Sequence, residues 1–309
     1  MVSLRVEAFF SYLNEREAIR LRKEADRVAL ENFETPQGSP WTSDPILQEY
    51  KFTNVRRHHD RTSDELRRRF YGPHFFDDRR TIIMNCALFR YFGTWEFAAA
   101  VGWQDYEDFD FEMIKETASE RLSHGQRVFT GAYVITNQGI SAPKQEVVVD
   151  YFLRDLWIAV PELMKIVQKT HRWEKVAECM REIGGFGGTG FMTKEVLLDT
   201  TYTGFWEKKF EHPKDGSFSL PADWDTWTPI GPGARRGAAR VLGDDSATPI
   251  SESKSMYVIK ELLDYQDLCW NHEGRLVPTD IQFALCEFDK YERVRLGQGT
   301  PRSRYRGKS

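Results

Sequence analysis

Two aspartates, Asp223 and Asp225, stand in a tryptophan-rich segment, Pro221-Ala222-Asp223-Trp224-Asp225-Thr226-Trp227. The paired cations Arg235 and Arg236 follow across a Gly231-Pro232-Gly233 turn. A carboxylate beside two guanidiniums can accept a proton from a nucleophile while the cations neutralise a departing anion. The same aspartates read equally well as helix caps. A second grouping, Cys286 to Arg302, interleaves the acids Glu287 and Asp289 with the bases Lys290 and Arg293. Composition alone makes it a charged helix ending at Gly297 with a basic tail. A third, Gly185-Phe186-Gly187-Gly188-Thr189-Gly190, satisfies GxGxxG. A dinucleotide fold needs a strand before that motif, and the preceding HRWEKVAECMREI is helical. No GxxxxGK[ST] occurs, which excludes a P-loop kinase. Cys86, Cys179, Cys269 and Cys286 stand singly, a pattern of neither a disulfide scaffold nor a zinc site, so no metal ligands are assigned.

The glycine run has a nucleic-acid reading. Residues 172–199 resemble a helix-hairpin-helix element, in which Gly185, Gly187, Gly188 and Gly190 permit a tight turn and close backbone approach to a DNA phosphate. Lys194, one turn into the second helix, adds charge. The alternative is a turn that merely packs two helices. In helix-hairpin-helix DNA glycosylases an essential aspartate follows the second helix. Asp223 and Asp225 come 33 and 35 residues after Gly190, somewhat farther than in that family.

The elements that would position these residues are mostly helical. Phe9, Phe10, Leu13, Ile19 and Leu21 mark a first helix, and Ser43-Asp44-Pro45 starts a second. Helices are expected over 78–92, 149–168 (interrupted or kinked at Pro161), 172–183, 191–199, 254–270 and 279–291. Val128 to Ile135 is the best strand candidate. The expected fold is mainly α: two-lobed, with a helix-hairpin-helix element, DNA-glycosylase-like. It forms one compact unit over 1–309, with an N-terminal lobe at 1–125, a central part at 126–220, and a catalytic loop with C-terminal helices at 221–309.

Charge supports a polyanion partner without demanding one. The 309 residues carry a net charge of −4, which excludes a histone-like polycation and a disordered acidic tail. Basic residues are nevertheless grouped: nine at 51–80, including Arg57, and seven among the last twenty. Solvated helix faces give such blocks as readily as a DNA-binding face does. No apolar run reaches the roughly 18–20 residues of a membrane span, and no signal peptide is evident. Many of the 42 aromatic residues belong to a core; Trp41, Tyr133, Trp224 and Trp227 are candidates for stacking on a base, and each reads equally as a core aromatic.

Several blocks together resemble a known family. They are Phe9-Phe10 with Glu15-Arg16, Trp41 to Leu47, Phe52-Thr53-Asn54-Val55, Val128 to Tyr133, Gly231-Pro232-Gly233 with Arg235-Arg236-Gly237, and Cys286 to Arg302. In this order they resemble the α-glutamyl/putrescinyl thymine pyrophosphorylases of bacteriophages. That family also supplies the helical domain of phage 5-hydroxymethyluridine DNA kinases. Arg56 departs from the pattern, where an aromatic is expected before Arg57.

The resemblance implies a DNA thymine hypermodification enzyme, a transferase. An amine, from an amino acid such as glycine or serine or from putrescine, displaces pyrophosphate from 5-(pyrophosphorylmethyl)uracil in double-stranded phage DNA. A separate 5-hydroxymethyluridine DNA kinase supplies the substrate, in the cytoplasm of the infected host, and no membrane is involved. Asp223 or Asp225 would act as base or stabilise the electron-poor ring, and Glu287 and Asp289 would hold the ammonium, hold a divalent ion, or orient those bases. Arg235, Arg236, Lys290 and Arg293 would bind pyrophosphate. Arg57, Arg302, Lys194 and the hairpin glycines would hold DNA with the nucleotide flipped out. No cofactor is demanded, though a divalent cation assisting pyrophosphate release is compatible with the reaction. Two alternatives remain: a helix-hairpin-helix glycosylase, and a non-catalytic module presenting modified DNA to a kinase.

Overall fold

The computed structural model describes residues 5–131, 133–206, 219–246, 248–301 and 303–305. Among them are thirteen α-helices: α1 Val6–Glu31, α2 Pro45–Glu49, α3 Arg61–Leu66, α4 Arg79–Phe92, α5 Trp95–Val101, α6 Phe111–Ser123, α7 Lys144–Glu146, α8 Arg154–Thr170, α9 Trp173–Met180, α10 Phe191–Thr200, α11 Pro232–Val241, α12 Glu252–Cys269 and α13 Pro278–Arg295. The mainly helical expectation holds. No helix of the described residues is long and apolar enough to cross a membrane.

The chain divides into two compact units, one made of Met1–Asp64 with Asp225–Ser309 and one made of Glu65–Trp224. The first unit thus joins both ends of the sequence, in place of the successive lobes expected. The physical reason is the apolar face of α1: Phe9, Phe10, Leu13 and Ile19 bury themselves against α12 and α13, two hundred and more residues away in the chain. Phe9 meets Phe288 edge to face with centroids 5.4 Å apart, and Tyr12 packs on Tyr291 at 5.0 Å.

In this unit α11 lies closely against α13, and glycine makes that possible. A Cβ at Gly233 would overlap Cys286 Sγ, and one at Gly237 would overlap the Leu285 carbonyl oxygen. Spaced four apart, the two glycines give α11 a bare stripe facing α13. Gly237→Ala is therefore expected to lower unfolding free energy by about 1–3 kcal/mol through overpacking, because backbone cannot step aside as a side chain can. Denaturant titration measures this; an unchanged midpoint would mean the helices do not approach so closely.

The second unit is built on two helices without a solvent face. Every residue of α4 from Thr81 to Phe92 is buried, as is every residue of α10 from Met192 to Thr200. Their charges are matched internally. Arg90 donates to both Asp199 oxygens and pairs with Glu195 at 3.1 Å, and Tyr71 donates to Asp199 at 2.6 Å. A π-helical run, Val147–Leu153, leads into α8, which continues through Pro161.

The strand expected at 128–135 is absent from its described residues. Thr130 N–H instead donates to the Phe92 carbonyl at 2.7 Å, closing the end of α4, and Phe129 stacks on Phe92 at 5.2 Å. The β-branched residues here cover a helix terminus. The backbone pairing present is an isolated bridge between Tyr50 and Arg304.

Candidate functional site: an arginine cluster and cleft around α13

Five of the six sequence blocks meet in the first unit, around α13. Asp289, on α13, is fully buried. Its Oδ2 accepts from Arg236 Nε at 2.9 Å and lies 3.5 Å from Arg293 Nε, while Oδ1 accepts from Arg240 Nε at 2.7 Å. Arg236 and Arg240 are one turn apart on α11, as Asp289 and Arg293 are on α13. The glycine stripe of α11 therefore sets the reach of these guanidiniums. Arg240 also feels the charges of Asp244 and Asp245, whereas among the described residues Arg236 and Arg293 share the Asp289 carboxylate alone, which leaves positive charge on these two. Arg240 is wholly buried, whereas the side chains of Arg236 and Arg293 are 30% and 39% exposed, so these two present that charge outward. This arrangement can hold a polyanion at its surface.

The cluster is wired to a cleft of about 1490 Å³ along the outer face of α1. Arg240 Nη2 donates to Gln298 Oε1 at 2.8 Å, and Gln298 Nε2 donates to the Asp245 carbonyl at 2.7 Å. Arg5 grips the Asp245 carboxylate at 2.7 and 3.0 Å. Arg5 lines the cleft with Glu7, Glu15, Asp44, Glu292 and Arg295, so carboxylates predominate there. Asp44 explains its own block: Oδ1 caps α2 through Ile46 N at 2.8 Å and Leu47 N at 3.1 Å, and Oδ2 accepts from Tyr291 at 2.6 Å.

Other expected residues have different places. Asp223 is 2% exposed. Its oxygens accept from the backbone N–H of Trp173 at 2.7 Å and Glu174 at 3.0 Å, so it caps α9 from fifty residues downstream. Its second role, as base, would require releasing both bonds. Asp225 is exposed. Arg235 does not join the cluster, because its Nε donates to the Ile250 carbonyl. Lys290 turns to Glu287 at 2.6 Å, and Glu287 also accepts from Thr53 N at 3.0 Å.

The hairpin reading needs correcting at Lys194. That residue is 5% exposed and paired with Glu195 at 3.0 Å, so it is an interior side chain rather than a phosphate contact. Gly185 is a packing residue too, for a Cβ there would overlap Phe152 and Tyr91. A Cβ at Gly187 or Gly190 would meet atoms of Arg181, whereas Gly188, at φ +63°, borders open space. Arg57 pairs with Asp60 at 2.6 Å and lies over the Phe283 ring. Arg56, the departure from the family pattern, donates to the Glu273 and Gly274 carbonyls and lies over Trp270. Arg302 lies outside the described residues.

Three of the four stacking candidates already have companions. Trp41 donates to Asp26 and carries Lys23 over its ring at 4.7 Å. Tyr133 donates to the Arg90 carbonyl and packs on Phe191. Trp224 stacks on Trp173 at 5.3 Å, and Trp227 is half-buried. Among the described residues, no group of three or more His, Cys, Asp or Glu is arranged to hold a metal ion. Sequence reasoning missed Arg240, whose spacing from Arg236 was the available signal, and assigned no role to Arg16.

Comparison with known proteins gives a consistent relationship. The model of the 5-hmdU DNA kinase helical domain matches residues 3–300. The 5-hmdU DNA kinase of Bacillus phage SP10 is 25% identical over 237 residues, which cover 67% of this chain and 33% of that protein. The chain thus spans about a third of the length of this curated relative. No solved structure matches.

Proposed function

Because the chain belongs to the family of 5-hmdU DNA kinase helical domains, we propose that it modifies thymine-derived bases of phage DNA as an amine:DNA transferase. The observation that carries this reading is the cluster of Arg236, Arg240 and Arg293 on buried Asp289. Displacement at the 5-methylene of 5-(pyrophosphorylmethyl)uracil forms a C–N bond and breaks a C–O bond, and pyrophosphate leaves with the electron pair. Cations fixed in advance stabilise that developing charge without reorganising. Arg236 and Arg293 are the exposed members and would take the leaving group.

The amine attacks in its neutral form and sheds a proton on bonding. Glu287 is the carboxylate for that proton, since its hydrogen bonds among the described residues both go to Oε2, which leaves Oε1 to accept. Asp223 is left to its cap. The exposed turn at Gly188 and Thr189 is the part of the hairpin open to a DNA phosphate, and Trp227 is the stacking candidate least committed elsewhere. The reaction would take place in the host cytoplasm, downstream of a separate kinase.

The test supplies DNA carrying 5-(pyrophosphorylmethyl)uracil, with a mixture of amino acids and polyamines. Pyrophosphate release is followed, and the nucleosides are weighed by mass spectrometry. The expected result is pyrophosphate release that depends on amine, with a nucleoside heavier by the amine. An abasic product independent of amine would instead identify a glycosylase. DNA binding without any product would leave a module that presents modified DNA to a kinase.

A further inference from the structure

The buried cations of the described residues have carboxylate partners, apart from one. Arg90 has Asp199 and Glu195, Arg240 has Asp289, and Lys194 has Glu195. Arg16 on α1 is 4% exposed and has none. Its Nη2 donates to the carbonyls of Phe52 at 3.0 Å and Thr53 at 3.2 Å, while Nε and Nη1 meet no acceptor. A desolvated guanidinium with open donors is costly unless an anion completes it.

The small void that Arg16 lines, about 10 Å³, is bordered also by Tyr12, Thr53, Asn54, Val55 and Glu287. Two more of these groups are open. Tyr12 Oη is buried without a partner. Burial, and then the Glu287 charge, push its pKa well up, so it remains a donor. The third is the Glu287 carboxylate, whose Oε1 accepts from no donor among the described residues. Two kinds of donor and one acceptor therefore border one void, made from three of the sequence blocks.

We propose that the Arg16–Tyr12–Glu287 pocket recognises a small zwitterion with a carboxylate and an ammonium on one carbon, that is, an α-amino acid. Arg16 and Tyr12 take the carboxylate, and Glu287 holds the ammonium. The assignment deepens the transferase reading and rests on it for what the bound amine then does. A diamine offers nothing to Arg16. Pyrophosphate would bring its negative charges against Glu287 and Asp60, which already oppose each other. The void as it stands admits about one water. The amino acid therefore enters by displacing the Thr53–Val55 segment and taking Glu287 from Lys290.

Calorimetry on the full chain without DNA tests this, titrating glycine, glycinamide and putrescine. Glycine is expected to bind, and glycinamide, which has lost the carboxylate, to bind about 10- to 100-fold more weakly. Arg16→Gln should abolish the preference for glycine over glycinamide. Arg16→Lys, which keeps the charge but not the forked donors, should reduce it. The comparison among ligands on the wild-type chain stands even if a variant fails to fold. Equal affinity for glycine and glycinamide, tighter binding of putrescine, or no glycine binding at millimolar concentration would each overturn the assignment. Glycine binding without product on pyrophosphorylated DNA would sink the transferase reading and leave the pocket. Product formed only with polyamines would do the reverse.

Discussion

An Asp289→Ala chain is expected to lose about 3–5 kcal/mol of unfolding free energy, the usual cost of removing one partner from a buried ion pair. Arg240 makes the loss severe, since its side chain has no exposure and one nitrogen, Nη1, already lacks an acceptor. Without the carboxylate, Arg236, Arg240 and Arg293 would repel one another across the α11–α13 contact. A compensating pair of changes separates charge from packing. In Asp289→Leu with Arg240→Met, the uncompensated cation disappears together with its partner, so much of the stability should return. Denaturant titration of the two chains measures the difference. If Asp289→Ala unfolds within about 1 kcal/mol of the unaltered protein, buried charge does not organise this unit, and the cluster is incidental.

The sequence made most helices legible because their apolar residues recur at helical spacing. Phe9, Phe10 and Leu13 gave α1, and Asp44 with Pro45 gave the start of α2. Helix α10 was placed correctly, but Lys194 was misread as facing a phosphate. It pairs with Glu195 inside, where Arg90 from α4 also meets Glu195 and Asp199. Local pattern cannot distinguish a charge in water from one paired across an interior. The strand expected after Val128 failed for a related reason: β-branched residues suit any buried extended segment, including one that closes the end of α4. Asp223 was read as either a base or a cap. Its partner helix begins fifty residues earlier, so only the fold displays the two N–H groups it receives. In the candidate site, the type and rough grouping of Arg236, Asp289 and Arg293 were legible. Their meeting was not, because it depends on the glycine stripe that lets α11 lie against α13.

Arg236→Ala should leave the fold intact and slow transfer by about 10²–10³-fold, the typical cost of removing one donor that stabilises transition-state charge. Arg236 is partly exposed, and its Nε alone is engaged by Asp289, so its loss leaves Arg240 and Asp289 still paired. Stability should therefore change little, in contrast to Asp289→Ala. The defect should lie in the chemical step: single-turnover rates at saturating amine fall, whereas amine affinity is retained, because the proposed amine pocket uses Arg16 and Glu287 instead. Arg293→Ala should behave alike but more mildly, since its Nε lies 3.5 Å from Asp289 and its side chain is 39% exposed. Added inorganic pyrophosphate should inhibit both variants less than the unaltered chain, because an anion site that holds the leaving group also holds the product. Rates within a few-fold of the unaltered chain for both variants, with unchanged pyrophosphate inhibition, would place the leaving-group site elsewhere. The acid-rich cleft would not inherit that role, since Glu7, Glu15, Asp44 and Glu292 outnumber its arginines and repel an anion.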